Sequence, residues 1–299
     1  MTITAPQAVD AANEVFGRHP HRRALHAKGR LLSGTFTATS AAAALTKAAH
    51  MQGEPVPAIV RVSNGGGDPG APDFAPDVRG LAVKLELADG SPTDIVAQSL
   101  PRFPFHTPDE FVEFVWTQKR PEMAWRFPVY LAQHPQMLAP LRTNFPALAP
   151  PESYATIPYY AIHAFRFIDA EGRARYVRYT WLPHAREARL SLRTARARGR
   201  DYLQEEIRER LAQGTVRFTL ELQVAGPEDD PDDPASVWPD QRERVNAGTL
   251  EITAVDDATD ENTLVFDPVN VTDGIELSDD PILRFRPQAY SESAKRRMS

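Results

Sequence analysis

Cysteine is absent from the 299 residues of this chain. Its absence excludes disulfides, thiolate catalysis, and zinc or iron–sulfur sites with cysteine ligands. No apolar run approaches the length of a membrane span. The N-terminus has no basic segment followed by an apolar stretch, so we expect no signal peptide and a cytoplasmic location. The net charge of −6 makes nucleic acids and anionic membranes poor candidates for partners.

Eight segments alternate apolar and polar residues, as strands with one buried face do. The clearest is Val216–Val224, and the others span residues 34–39, 58–63, 80–87, 93–97, 161–168, 175–181 and 248–253. Eight strands are enough to close a barrel. Most of them follow one another in pairs, with Glu171 and Gly172 forming one hairpin turn, so we expect an antiparallel sheet.

Helices fill the gaps between these segments. Thr107, Pro108 and Glu110 provide an N-cap, a first-turn proline and a capping box, which together predict a helix start. Further helices are predicted over residues 7–16, 41–50 and 201–213. The sequence therefore predicts an α+β fold, an antiparallel eight-stranded β-barrel core with surrounding helices, in one domain of residues 1–299.

Two short motifs stand near opposite ends of the chain. His26 lies in a His-Ala-Lys-Gly run, and Tyr290 follows Arg286 by four residues. Together with segments between them, these motifs resemble the haem catalases, and the resemblance covers residues 20 to 297. The segments that carry it are residues 24–39, 60–63, 77–84, 94–101, 237–239, 266–270 and 286–290.

The resemblance implies a catalase-like barrel that binds one haem b, with Tyr290 as the iron ligand. Residues four apart share a helix face, so Arg286 would lie near Tyr290 and favour its phenolate form. On the opposite side of the haem, His26 would move a proton between the two oxygens of a peroxide. Ser63 would orient the ring of His26, and the Gln98 amide would hold the second oxygen.

The same resemblance assigns the residues around the cofactor. Arginine binds carboxylates through its two-pronged guanidinium, and three arginines match those that pair with the haem propionates. A phenylalanine matches one beside the haem, and a histidine matches one next to the proximal arginine. The residues concerned are Arg23, Arg61, Arg297, Phe111 and His163, in addition to Arg286 itself.

Several positions depart from the family pattern. Gln98 stands where an asparagine is expected, and Leu25 replaces a smaller valine before the distal histidine. Pro287 removes a helix hydrogen bond directly after Arg286. The chain also ends nine residues after Tyr290, where typical catalases continue into a helical domain. The chain is therefore most similar to the small catalase-related peroxidases, with a shorter path to the haem.

The resulting hypothesis is a haem peroxidase that reduces hydrogen peroxide or an organic hydroperoxide with a small organic electron donor. Weak catalase activity and a monomer or homodimer are expected. One alternative is an enzyme that rearranges fatty-acid hydroperoxides, as allene oxide synthases do. Leu25 argues mildly against it, because a threonine tends to stand at this position there. The other alternative is a non-enzymatic haem-binding barrel, against which the retention of His26 with Ser63 argues.

Overall fold

The computed structural model describes residues 2–119 and 121–298. In chain order, its strands are β1 (Gly29–Ala38), β2 (Val56–Asn64), β3 (Arg79–Glu86), β4 (Pro92–Gln98), β5 (Tyr159–Tyr160), β6 (Phe165–Ile168), β7 (Ala174–Pro183), β8 (Val216–Val224), β9 (Arg244–Val255) and β10 (Ile275–Leu277). The α-helices of these ranges are α1 (Ala5–Phe16), α2 (Ser40–Ala43), α3 (Pro108–Thr117), α4 (Met123–Gln133), α5 (Leu138–Asn144), α6 (Leu192–Arg198), α7 (Tyr202–Gln213) and α8 (Pro281–Met298).

The strands close into an antiparallel barrel, as the sequence predicts. The ring runs β1-β2-β3-β4-β5-β7-β8-β9 and returns to β1, and β6 and β10 extend from the side of β7. Seven predicted segments are strands of this ring. The prediction for residues 161–168 is wrong, because β6 begins only at Phe165 and the ring position belongs to β5. Residues 162–164 leave the sheet between these two strands, and His163 reaches Asp280 there.

Large apolar side chains fill the barrel interior. Val60, Val83, Trp181 and Leu220 are completely buried. Phe36 meets Trp181 edge-on, with the ring centroids 6.0 Å apart. Each such side chain contributes roughly 1.5–3 kcal/mol by leaving water. Because side chains alternate along a strand, the residues between these apolar positions face the outside of the barrel.

Three of the predicted helices are present, as α1, α3 and α7. The N-cap of α3 is as predicted, since the Thr107 hydroxyl accepts a hydrogen bond from the Glu110 amide. The prediction of one helix over residues 41–50 is wrong. Only α2 and a 3-10 turn at Ala49–Met51 form there. The Thr46 hydroxyl donates to the Gly274 carbonyl at 2.6 Å, and this tertiary bond competes with a continuous helix.

Helix α8 carries the C-terminal motif. It continues through Pro287 without a break, so the proline does not separate the residues on either side of it. Asp280 caps its start by accepting from the amides of Ile282 and Leu283, at 2.8 and 3.1 Å. No helix within residues 2–119 and 121–298 is long and apolar enough to cross a membrane. The single domain of residues 1–299 stays a prediction.

Candidate functional site

The outer face of the barrel carries a row of paired residues at one end of β1 to β4. Gly29 pairs with Ser63, Ser63 with Gly80, and Gly80 with Gln98. Arg61 lies two residues before Ser63 and therefore on the same face. The row has a glycine on each side of Ser63, and the space that a side chain would take there is filled by the Arg61 guanidinium above Gly29 and by the His26 ring above Gly80.

His26 lies over this row, in the segment that precedes β1. Its ring Nδ1 is 3.0 Å from the Ser63 hydroxyl, and its amide donates to the Gly65 carbonyl at 2.9 Å. A Cβ atom on Gly80 would lie 2.8 Å from Nδ1 and 2.7 Å from the Ser63 hydroxyl. Only glycine at position 80 therefore admits the imidazole. The predicted pair of His26 and Ser63 is brought together, but the requirement for Gly80 was not foreseen.

The backbone at His26 is unusual, because its φ angle of 54° lies in the left-handed region. Non-glycine residues adopt this conformation rarely, and such strain concentrates at functional sites. Burial lowers the pKa of the His26 ring to about 3, and the positive charges of Arg61, Arg286 and Arg23 add to the effect. The ring is therefore neutral at physiological pH. With the proton on Nδ1, the Nε2 atom carries a free lone pair.

Gln98 lies at the end of the same row. Its amide nitrogen donates to the Leu100 carbonyl, and its amide oxygen accepts from the Leu100 amide, both at 2.6 Å. The extra methylene of glutamine lets the side chain fold back onto the backbone in this way. The structure thus places Gln98 in the row that contains Ser63, but both atoms of its side-chain amide are bonded to the Leu100 backbone.

Four side chains form a continuous hydrogen-bonded chain around α8. The Arg286 Nε donates to the Tyr290 hydroxyl oxygen at 2.8 Å, and its Nη2 donates to the same oxygen. Its Nη1 donates to the His163 Nε2 at 2.8 Å, and the His163 Nδ1 donates to Asp280 at 2.6 Å. The predicted contacts of Arg286 with Tyr290 and with His163 are therefore present.

The buried residues Asp280 and His163 determine which atoms donate and which accept along this series of hydrogen bonds. Asp280 and His163 are 0% and 1% exposed. Burial lowers the pKa of His163 to about 4, against the opposing effect of the Asp280 hydrogen bond. A neutral ring with its proton toward Asp280 is the form that can accept from Arg286. Asp280 was not singled out in the sequence, and its place as N-cap before α8 is the signal that could have found it.

Three predicted arginines converge beside this site. Arg23 and Arg297 donate to the Leu264 carbonyl at 2.9 and 2.7 Å, and Arg61 donates to Glu261 at 3.1 Å. Burial and the neighbouring arginines lower the pKa of Arg23 to about 9, and burial chiefly lowers the pKa of Arg61 and Arg297. Glu261 forms ion pairs with Arg23 and Arg61 and lies within electrostatic reach of Arg297, so the cluster carries excess positive charge.

One atom of the arginine cluster lacks a partner within the protein. The Nη2 of Arg61 is buried and makes no hydrogen bond to any described residue. An unsatisfied buried donor is costly, and in native structures it calls for an explanation. A carboxylate from a bound molecule would satisfy it and balance the positive charge. The cluster thus fits a ligand that bears carboxylates.

Phe111 lies in a separate aromatic cluster. Its ring centroid is 5.5 Å from that of Phe105 and 6.5 Å from that of Phe103, and the cluster packs against Ile282 of α8. This cluster joins α3 to the start of the helix that carries Tyr290. The predicted contact of Phe111 with a cofactor stays a prediction.

A buried polar network supports the His26 segment from the inside of the barrel. The Lys28 ammonium lies 2.6 Å from Asp73, and Asp73 accepts from the Asn64 amide at 2.8 Å. The Tyr154 hydroxyl donates to Asn64 at 2.8 Å. Lys28 follows His26 by two residues and Asn64 follows Ser63, so the network holds both partners of the His26–Ser63 bond. The sequence motif contained Lys28, but this role was not predicted.

The two sides of the site are close in space. Ala24 donates its amide to the Ser293 hydroxyl of α8 at 3.4 Å, and Arg286 contributes to the lowered pKa of His26. A neutral imidazole thus lies within electrostatic reach of the guanidinium that binds the Tyr290 phenol, and also of Arg61 and Arg23 in the arginine cluster. Within the described ranges, no group of three or more His, Asp or Glu residues could hold a metal ion.

Comparison with known proteins gives one consistent result. A family model for catalase matches residues 12–299. A catalase-related peroxidase of Mycolicibacterium paratuberculosis is 46% identical over 99% of this chain and 95% of its own length. One of Synechococcus elongatus is 30% identical over 99% of this chain and 89% of its own. The crystal structure of a fungal catalase superposes with a TM-score of 0.84 at 26% identity, covering 94% of this chain and 60% of that protein.

Proposed function

This chain belongs to the catalase family, and we propose that it is a haem b peroxidase. It reduces hydrogen peroxide or an organic hydroperoxide at the expense of a small organic electron donor, and its catalase activity is weak. The cytoplasmic location and the monomer or homodimer stay predictions. The proposal depends on one observation: the same site contains a neutral His26, hydrogen-bonded to Ser63, and a Tyr290 phenol, hydrogen-bonded to Arg286.

The residues present fit a haem. Its two propionates would satisfy the unpartnered Arg61 Nη2 and the excess charge of Arg23, Arg61 and Arg297. Its iron needs few protein ligands, because the porphyrin supplies four nitrogen donors. Tyr290 is the proposed ligand, as tyrosine is in catalase.

The proximal residues hold the proposed ligand in position. Two N–H groups of Arg286 donate to the Tyr290 oxygen and fix its place. His163 and Asp280 hold the guanidinium in that position. The chemistry supplied by a bound haem is the two-electron reduction of the peroxide O–O bond, followed by recovery of those electrons from the donor.

His26 is the proposed proton carrier. Its Nε2 takes the proton from one peroxide oxygen and returns it to the other, so that this oxygen leaves as water or an alcohol. The low pKa of the ring keeps Nε2 available as an acceptor. The Ser63 hydroxyl fixes the ring's orientation through Nδ1. Positioned proton transfer of this kind contributes about 10²–10⁴-fold to a rate.

The preference for peroxidase over catalase activity is supported by Gln98. Decomposing two peroxides requires a polar group that holds the second molecule close to the reacting centre. The Gln98 amide is engaged with Leu100 on both of its atoms, which weakens that function. A donor needs only to pass electrons to the haem edge, and Gln98 does not limit this.

The test combines a spectrum with three assays on the purified protein. An absorption spectrum with a Soret band and about one haem per chain is expected. Peroxide consumption should depend on an added phenolic donor and exceed oxygen evolution. Rapid turnover of a lipid hydroperoxide without any donor would indicate the rearranging enzyme instead. A haem-loaded protein inactive in all three assays would contradict the proposal in favour of a haem-binding barrel.

A further inference from the structure

A surface cavity of about 320 Å³ lies beside the arginine cluster, between α1, the loop that follows it and the last turns of α8. None of its described lining residues is acidic. Its basic lining residues include Arg18, His19, His21, Arg22 and Arg297. A cavity of this size holds a small organic molecule with one ring.

Carboxylates outside the lining compensate only part of the charge of the cavity: Arg296 pairs with Asp10 and Glu292, and His19 lies 3.9 Å from Asp68. Arg18 is exposed and makes no hydrogen bond or ion pair within the described part of the chain. Arg22 pairs with Glu261 at 3.0 Å, but the same carboxylate also faces Arg23 and Arg61. One carboxylate thus forms ion pairs with three guanidinium groups. The cavity attracts anions, since like charges that converge on an open space focus the field there.

The backbone at His21 is a second indication of function. His21, with a φ angle of 57°, and His26 are the two non-glycine residues in the left-handed region across residues 2–119 and 121–298. Strained backbone persists where the surrounding structure holds it, commonly at functional sites. The His21 Nδ1 donates to the Arg297 carbonyl at 3.2 Å. This bond ties the loop to α8 and shapes the cavity wall.

The cavity lies next to the proposed propionate partners. Arg22 and Arg297 line it, and both lie within electrostatic reach of Arg23 and Arg61. Arg297 belongs both to the cavity wall and to the proposed propionate partners, so the cavity adjoins the proposed cofactor site. Val9, along the apolar side of α1, offers contact for a ring.

We propose that this cavity binds the electron donor and that the donor is a small phenol bearing a carboxylate. The proposal rests on the proposed function and names the substrate class of that reaction. Each hydroperoxide takes two electrons and two protons and yields an alcohol and water, or two waters from hydrogen peroxide. Two donor molecules each give one electron and one proton from the phenol hydroxyl. They leave as phenoxyl radicals that keep their carboxylates.

The experiment compares three phenols that differ in charge, using the haem-loaded enzyme. They are 4-hydroxyphenylacetate, the neutral 4-methylphenol and the cationic tyramine. Calorimetry measures their binding, and steady-state kinetics measure kcat/KM at fixed peroxide. The variant is Arg18→Glu, and the matched control is Arg186→Glu. Arg186 is likewise exposed and has no hydrogen bond or ion pair within the described ranges, but it lies outside the cavity.

The wild type should bind and oxidise 4-hydroxyphenylacetate best. Arg18→Glu should weaken its binding and lower its kcat/KM by about tenfold, as expected for reversing a charge near an anion. The variant should leave 4-methylphenol unchanged and improve tyramine. Arg186→Glu should match the wild type. The rate of reaction with peroxide in the absence of donor should be the same in all three proteins.

Two contrary results are distinguishable. Equal oxidation of the three phenols, with Arg18→Glu indistinguishable from Arg186→Glu in binding, would overturn the donor site and leave the peroxidase in place. A haem-loaded wild type that oxidises none of the three phenols would overturn both the donor site and the proposed function.

Discussion

The Tyr290 side and the His26 side of the site are built differently. Tyr290 is held by a chain of side chains through Arg286 and His163 to Asp280, which is completely buried and also caps α8. The His26 ring makes one hydrogen bond, to Ser63. Its backbone, which has a positive φ angle, donates a hydrogen bond to the Gly65 carbonyl. On the first side a network of side chains reaches Tyr290 itself, whereas on the second side the buried network of Lys28, Asp73 and Asn64 supports the backbone and only Ser63 bonds to the ring.

This difference suggests a division of roles. A network in which each member fixes the next resists displacement and suits a group that must hold a cofactor permanently. A histidine with a single side-chain partner keeps its second ring nitrogen available to exchange protons. We therefore expect changes on the Tyr290 side to affect cofactor retention, and changes on the His26 side to affect rates.

The largest effect is expected from Tyr290→Phe, which removes the oxygen that would bind iron. The variant should lose most of its haem or show a markedly altered ferric spectrum. Haem content and the absorption spectrum measure this. Tyr176→Phe on β7, a tyrosine outside the site, is the control and should resemble the wild type. Unchanged haem content and spectrum in Tyr290→Phe would contradict the proposal that the Tyr290 side retains the cofactor.

His26→Ala should slow the reaction and leave the cofactor bound. We expect haem content near that of the wild type and a reaction with peroxide slowed on the order of 10²-fold or more, because the proton carrier is lost. Rapid mixing with peroxide measures the rate, and His184→Ala, an exposed histidine on the barrel, is the control. A near-normal rate would mean that another group moves the proton.

Acid should destabilise the fold through buried histidines on both sides. The pKa values of His26 and His163 are lowered to about 3 and about 4, so both rings stay neutral in the folded protein while they protonate near 6.5 when unfolded. Their contribution to stability is complete above pH 6.5 and is lost as the pH falls toward 4, because the unfolded chain binds more protons there.

Urea unfolding between pH 6.5 and 4 measures this loss. Each ring should lower the free energy of unfolding by up to about 1.4 kcal/mol per pH unit. His26→Ala should reduce the slope by up to one proton, with His163 and the buried His50, whose pKa is also lowered to about 4, left to contribute. An unchanged slope in this variant would show that His26 is already protonated in the folded state.

The smallest effect is expected from Gln98→Asn. Asparagine is one methylene shorter and cannot span both backbone groups of Leu100 in the same way, so its amide is free to face the row that holds Ser63. Oxygen evolution from hydrogen peroxide should rise a few-fold, while haem content and phenol oxidation stay constant. An oxygen electrode makes the measurement. No gain, or a loss, would mean that the longer amide does not limit catalase activity.

Much of the fold and site could be predicted from the chain. Alternating apolar residues predicted seven strands of the ring, because one face of each strand packs into the barrel interior. Local signals also predicted the start of α3 at Thr107. The predictions failed where contacts between residues far apart in the sequence determine the local structure. The Thr46 hydroxyl binds Gly274 and disrupts the predicted helix over residues 41–50. His163 turns toward Asp280, 117 residues away, and postpones the start of β6.

The sequence by itself determined the elements and the chemical types available: a histidine before the first strand, a tyrosine four residues after an arginine, and no thiol. Only the tertiary structure decided what these groups contact. The close approach of His26 to Gly80, the unpartnered Nη2 of Arg61 and the sharing of Glu261 among three arginines depend on strands and loops that are far apart in the chain. Burial and charge act through space, so local patterns predict the elements and the closed barrel defines the site.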